Sequence, residues 1–188
     1  MNTLWIPHHR FLAAATGPSG CSINRITYLG LLGSFLSILL LQWLSSYTSN
    51  NWLIAPFGAT CVLLFASPQS PFAQPRNVIA GHLIAAITAL LCIQLLGHSA
   101  LTMALAVSLS IVLMQAWRAV HPPAGATALL LTLTTPGTVG YEFILTPVLS
   151  GSLALVLIAA VCNNLSSGQN WPLYWFGRKA AAPVKTDS

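Results

Sequence analysis

Charge is what this sequence has least of. Seven Lys and Arg and two Asp and Glu make up only 5% of 188 residues, against about 25% in a water-soluble domain. A soluble globular fold is excluded on that ground. The two acids, Glu142 and Asp187, are far apart, so no carboxylate pair is available for acid–base work. Ser-His-acid spacing and a P-loop are also missing; an enzyme is not expected, nor is nucleotide-driven transport. Cys21, Cys61, Cys92 and Cys162 show neither CxxC nor zinc spacing. No metal or other cofactor is expected, and the three cysteines inside apolar runs read as small packing residues. The first 25 residues lack both a cleavable apolar region behind a charged start and the Arg- and Ser-rich character of a transit peptide. They read as a short cytoplasmic tail, which places the chain in a bacterial inner membrane.

Apolar residues are abundant instead: 55% of the chain, with a mean hydropathy of +0.75. Four long apolar runs, 26–44, 78–96, 100–117 and 143–161, each approach the roughly 20 residues needed to cross a hydrocarbon core of about 30 Å. Two shorter runs, 57–66 and 124–134, are bounded by prolines and reach about half that thickness at about 1.5 Å per residue. These two runs match each other. Pro56-Phe57-Gly58-Ala59-Thr60 lies over Pro123-Ala124-Gly125-Ala126-Thr127 at an offset of 67, and Gly81-His82-Leu83 lies over Gly151-Ser152-Leu153 at an offset of 70. The pattern predicts an all-α polytopic membrane protein with two inverted repeats, each with two long transmembrane helices around a short proline-led half-helix. Repeat one covers 26–97 and repeat two 100–165, preceded by the tail 1–25 and followed by an interfacial aromatic segment and tail, 166–188.

The net charge of +5 is spread along the chain and reads as topology charge, not as a nucleic-acid surface. Six crossings put Arg10, Arg25, Arg76, Arg118, Arg178, Lys179 and Lys185 on the cytoplasmic side, with both termini, and Glu142 outside. Four spans with re-entrant short elements put Arg76 and Arg118 on the outer face, against the positive-inside tendency. Six crossings fit better, and three per repeat turn the second repeat upside down.

In that arrangement the helix starts at Pro56 and at Pro122-Pro123 meet near the membrane centre. Proline suits a first helical turn because its missing N–H is no loss there. Free first-turn amides and two dipole ends favour an anion. Thr60 and Thr127 add hydroxyl donors, Gly58 and Gly125 allow close approach, and Arg76, His82, Arg118 and His121 add cationic or titratable donors. Pro56, Phe57, Ala59 and Ala126 complete the expected binding set. Each residue also has a plainer reading: the small residues as helix packing, Arg76 and Arg118 as headgroup charges, His82 as a neutral histidine bonded within the fold. The imidazoles are the obvious proton carriers. His8, His9 and His98 read as surface residues.

The stretch Arg118-Ala119-Val120-His121-Pro122-Pro123-Ala124-Gly125-Ala126-Thr127, with Pro56-Phe57-Gly58-Ala59-Thr60 and Ser67 to His82, resembles the HPP family of integral membrane proteins over about residues 25–165. That family is usually described as four-spanning. The resemblance implies a carrier for nitrite or a similar small anion. The chain is expected to act as a homo-oligomer in the lipid bilayer, since about 140 embedded residues enclose little. A carrier of another solute (nitrate, formate or a neutral molecule) and a non-transporting assembly subunit remain the alternatives.

Overall fold

Proline and extended backbone decide where these helices begin. In a computed structural model, residues 25–48, 50–137, 139–165 and 170–174 are described. The expected cytoplasmic tail, Arg10, Cys21, Arg178, Lys179 and Lys185 lie outside those residues. Helix α1 runs Arg25–Thr48. Helix α2, Pro56–Cys61, continues through a wide π turn, Val62–Ala66. A 3-10 turn at Pro71–Ala73 leads into α3, Pro75–Leu96. Then come α4, Ala100–Ala116, and α5, Pro122–Leu133. A second π turn, Ile144–Leu149, opens α6, Ser150–Leu165. Among the described residues there is no strand, as an all-α chain requires.

Local chemistry explains the boundaries. Helices α2, α3 and α5 each start on proline, where no intrahelical donor is lost. Helix α4 is capped by Ser99, whose hydroxyl accepts from the Thr102 amide at 3.1 Å. It ends in a Schellman arrangement: Ala119 N–H donates to Met114 O and Arg118 N–H to Gln115 O. The residue in the left-handed position is Arg118, at φ 54°, where glycine is usual. This turn stops α4 at 17 residues, about 26 Å of helix. The helix matches the expected run 100–117 to within a residue, at the lower edge of the length that spans a hydrocarbon core. Three helices among the described residues, Thr27–Thr48, Pro75–Leu96 and Ile144–Leu165, are long and apolar enough to cross a membrane.

Helix α3 is the centre of the bundle, packed on α4, α5 and α6, while α1 packs mainly on α6. Half of the α3 span is buried against 17% of α1, so α1 is the outer helix. The core around α3 is built largely from alanines: Ala85, Ala86, Ala89, Ala124, Ala128 and Ala159 are fully buried. Such residues let backbones approach closely, as dispersion-driven packing in lipid requires. Cys61, Cys92 and Cys162 are free and buried, in keeping with their reading as packing residues.

The two matched glycines make equivalent contacts across the bundle. A Cβ on Gly81 would stand 2.7 Å from His121 Cβ and 3.2 Å from Ala119 O. One on Gly151 would stand 2.5 Å from the Phe57 ring. Each therefore presses its helix onto the start of the other half's short helix. Irregular backbone is held by buried side chains, as it must be away from water. Ser45 Oγ accepts from Trp52 N and Leu53 N, and Asn77 Nδ2 donates to Val120 O. Asn163 Nδ2 donates to Leu64 O in the first π turn. Gln74, fully buried, donates to Pro68 O and Ser70 O and accepts from Leu173 N.

Candidate functional site: a buried histidine–threonine chain

The two Pro-x-Gly-Ala-Thr segments converge on one imidazole. Thr60 Oγ1 lies 2.9 Å from His82 Nε2, and Thr127 Oγ1 lies 2.8 Å from His82 Nδ1. Thr60 Oγ1 also lies 3.1 Å from His121 Nε2, and His121 Nδ1 lies 2.8 Å from Phe72 O. All four side chains are fully buried. The imidazole centroids are 4.9 Å apart, and the Phe57 ring meets His82 edge-on at 5.2 Å. Elements α2, α3 and the 3-10 turn each contribute one partner, and α5 contributes two, Thr127 and its N-cap His121.

Donor and acceptor roles follow from the ends of this chain. A carbonyl only accepts, so His121 Nδ1 carries the proton facing Phe72 O. Neutral His121 then offers a lone pair at Nε2, and the Thr60 hydroxyl is the donor within reach. Thr60, having one proton, must accept from His82 Nε2–H. His82 Nδ1 is left to accept from the Thr127 hydroxyl. The chain therefore runs Thr127 → His82 → Thr60 → His121 → Phe72 O, with opposite tautomers on the two histidines. In this state every side-chain nitrogen and hydroxyl of the chain is used, as buried polar groups require.

The expected binding set divides in two. Thr60, His82, His121 and Thr127 come together, backed by buried Pro56, Phe57 and Pro123. Gly58, Ala59, Pro122 and Ala126 are exposed and Gly125 is half-buried; Gly58 and Gly125 have open space where a Cβ would stand. The expected bare first-turn amides are corrected. Phe57 N–H donates to Ile54 O, Gly58 N–H to Ala55 O and Ala124 N–H to His121 O, because Ala55 is already helical and His121 O caps α5. Both arginines turn elsewhere: Arg76 Nη2 donates to Trp117 O at 2.8 Å, and Arg118 is exposed. Sequence reasoning missed Asn77, Gln74, Asn163 and the Phe72 carbonyl. The amides carried a signal, being uncharged polar residues set in apolar surroundings; a backbone carbonyl carries none.

The fold and site define a polytopic helical membrane protein with an ionisable chain in its interior. Residues 21–172 match the family "HPP, transmembrane region", and the chain belongs to that family. Two Dictyostelium discoideum proteins described as transmembrane proteins are similar to it. One is 43% identical over 66% of this chain and 45% of its own length. The other is 38% identical over 77% of this chain and 50% of its own. The chain thus spans about half the length of these curated relatives. No solved structure matches it.

Proposed function

We propose that the protein is a membrane transporter or channel for a small monovalent oxyanion, nitrite being the first candidate. The observation that carries this reading is the meeting of Thr60 and Thr127, from matched segments, on buried His82, with His121 completing the chain. Ionisable groups inside a membrane domain are costly and mark solute or proton paths by default. A trigonal or bent oxyanion would exchange places with the internal bonds, accepting from the Thr127 hydroxyl and an imidazole N–H. Nitrite is favoured by the family resemblance, and no enzymatic step is invoked.

The same reading takes the matched halves as inverted repeats crossing six times in a bacterial inner membrane, with both termini cytoplasmic. The chain works as a homo-oligomer, since a groove of about 630 Å³ between α1 and α2, lined by Gly30, Ser34, Gly58 and Phe65 among others, lies open on a single copy. Labelling of single cysteines at exposed Gln69 and Gly137 tests the topology: six crossings put them on opposite faces, four on the same one.

Uptake of labelled nitrite into proteoliposomes tests transport. Wild type should exceed protein-free vesicles, and Thr127→Val should lose at least ten-fold while Arg118→Ala keeps its rate. Uptake no faster than in protein-free vesicles would sink the reading. One observation favours a second possibility, a structural staple: every nitrogen and hydroxyl of the chain already has a partner. In that case Thr127→Val destabilises the fold and leaves flux per folded molecule unchanged.

A further inference from the structure

Thr60 Oγ1 has a third neighbour. Besides the two imidazoles it lies 3.2 Å from Pro56 O, one turn back in its own helix. The hydroxyl therefore has two places for its single proton, His121 Nε2 or Pro56 O, with no heavy atom moving. In the first, His121 is neutral. In the second, Thr60 donates to Pro56 O and its oxygen accepts from both His82 Nε2–H and a newly protonated His121 Nε2–H. His121 then donates from both nitrogens, to Thr60 and to Phe72 O. Both states are fully hydrogen-bonded, which is what a buried group must have to accept charge without leaving an orphan.

The charges around His121 say what that state is for. On α3, Arg76 is held on the Trp117 carbonyl, and His82 is bonded on both nitrogens. From the lead-in to α5, Arg118 points to the exterior. Helix α2 and the 3-10 turn bring the Thr60 hydroxyl and the Phe72 carbonyl to His121, and α4 brings Met114 Sδ beside Gly81. The one acid among the described residues, Glu142, is exposed, beside Gly140. Among the described residues no fixed cation is bonded to this histidine–threonine chain, so an anion arriving there meets no permanent countercharge from them.

We infer that the anion travels with one proton, carried on His121 and accommodated by rotation of the Thr60 hydroxyl, which makes the protein an electroneutral proton–anion co-transporter. The inference rests on the transport reading above. One proton moves from water to His121 Nε2 as the anion binds and returns to water as it leaves; only an N–H bond is made and broken. Asn77 Oδ1, buried and without a donor, lies on the amide whose nitrogen holds Val120 O, next to His121 in the chain, and is an acceptor suited to a water delivering that proton.

The full chain in proteoliposomes containing a pH dye tests this. Nitrite, nitrate and formate are each supplied, with protein-free flux subtracted. An inward anion gradient should acidify the lumen by one proton per anion, and a lumen-alkaline gradient should drive uptake uphill. Clamping the potential with valinomycin and potassium should not change the rate. Thr60→Ser should keep the one-to-one ratio, and folded His121→Gln should lose proton movement. Anion flux that speeds up with a positive lumen and leaves its pH unchanged overturns the inference and leaves transport standing. Absence of flux for all three anions removes both.

Discussion

Replacing Thr60 by valine changes one hydroxyl to a methyl at nearly constant shape, and the structure allows its effect to be worked out. His82 loses the acceptor of its Nε2–H at 2.9 Å and His121 the donor to its Nε2 at 3.1 Å. Each buried group left unpaired costs about 1–3 kcal/mol. Interhelical hydrogen bonds in membrane proteins average only about 0.6 kcal/mol in coupling cycles, so the lower part of the summed range, about 2–4 kcal/mol, is expected. Thr60→Ser keeps the hydroxyl and loses one methyl, about 0.8 kcal/mol. Thr127→Val removes a single bond to His82 and should fall in between. Because Thr60 and Thr127 share His82, the double valine variant should deviate from additivity by roughly 0.5–3 kcal/mol. Reversible unfolding in mixed micelles, followed by circular dichroism, reads all four. Valine and serine variants at Thr60 with stabilities within about 0.5 kcal/mol of each other, the usual scatter for substitutions of no consequence, would refute the hydrogen-bond assignment.

Other outcomes follow from the same geometry. Nitrogen-15 NMR of histidine-labelled protein should show His82 protonated at Nε2 and His121 at Nδ1; matching tautomers would break the directional chain. Gly81→Ala should cost about 1–3 kcal/mol by overpacking, since its Cβ meets His121 Cβ at 2.7 Å. Gly58→Ala and Gly125→Ala, facing open space, should instead gain about 0.5–1 kcal/mol of helix preference, read in the same unfolding assay. Arg118→Gly should stabilise by up to about 1 kcal/mol by relieving the left-handed backbone at φ 54°, with nitrite flux unchanged if Arg118 stands outside the path. Asn163→Leu, which strips the Leu64 carbonyl of its donor, should cost about 1–3 kcal/mol.

Much of the frame was legible in the chain. Apolar run length gave the helices to within a few residues, and prolines marked the starts of α2 and α5. The duplicated Pro-x-Gly-Ala-Thr led to the two threonines that do meet. Other features were decided by tertiary geometry. Nothing local reveals that Arg118 adopts a glycine's conformation where α4 ends. The first-turn amides looked free because Pro56 and Pro123 open their helices, yet Ile54, Ala55 and His121 supply carbonyls to them. Composition gave Arg76 and Arg118 as neighbours of the site. Their long side chains are turned outward or onto a carbonyl, a choice set by what lies across the bundle.

Comparison of the matched segments argues that the two histidines are present for chemistry, as the proposed function requires. At the offsets that align the halves, His82 corresponds to Ser152 and His121 to Ile54. Ser152 is fully buried, its hydroxyl turned back onto Leu149 O in its own helix, and Ile54 is a buried apolar residue. The surroundings of Ser152 and Ile54 hold the same kind of glycine contact, Gly151 on Phe57, as Gly81 makes on His121. The frame thus packs at these places with a small hydroxyl and an alkyl group. Two adjacent imidazoles do that job less well, since buried polar atoms add nothing to packing unless each finds a partner. Under the proposed transport function, the two imidazoles that Thr60 joins are the part of this frame that packing alone does not call for.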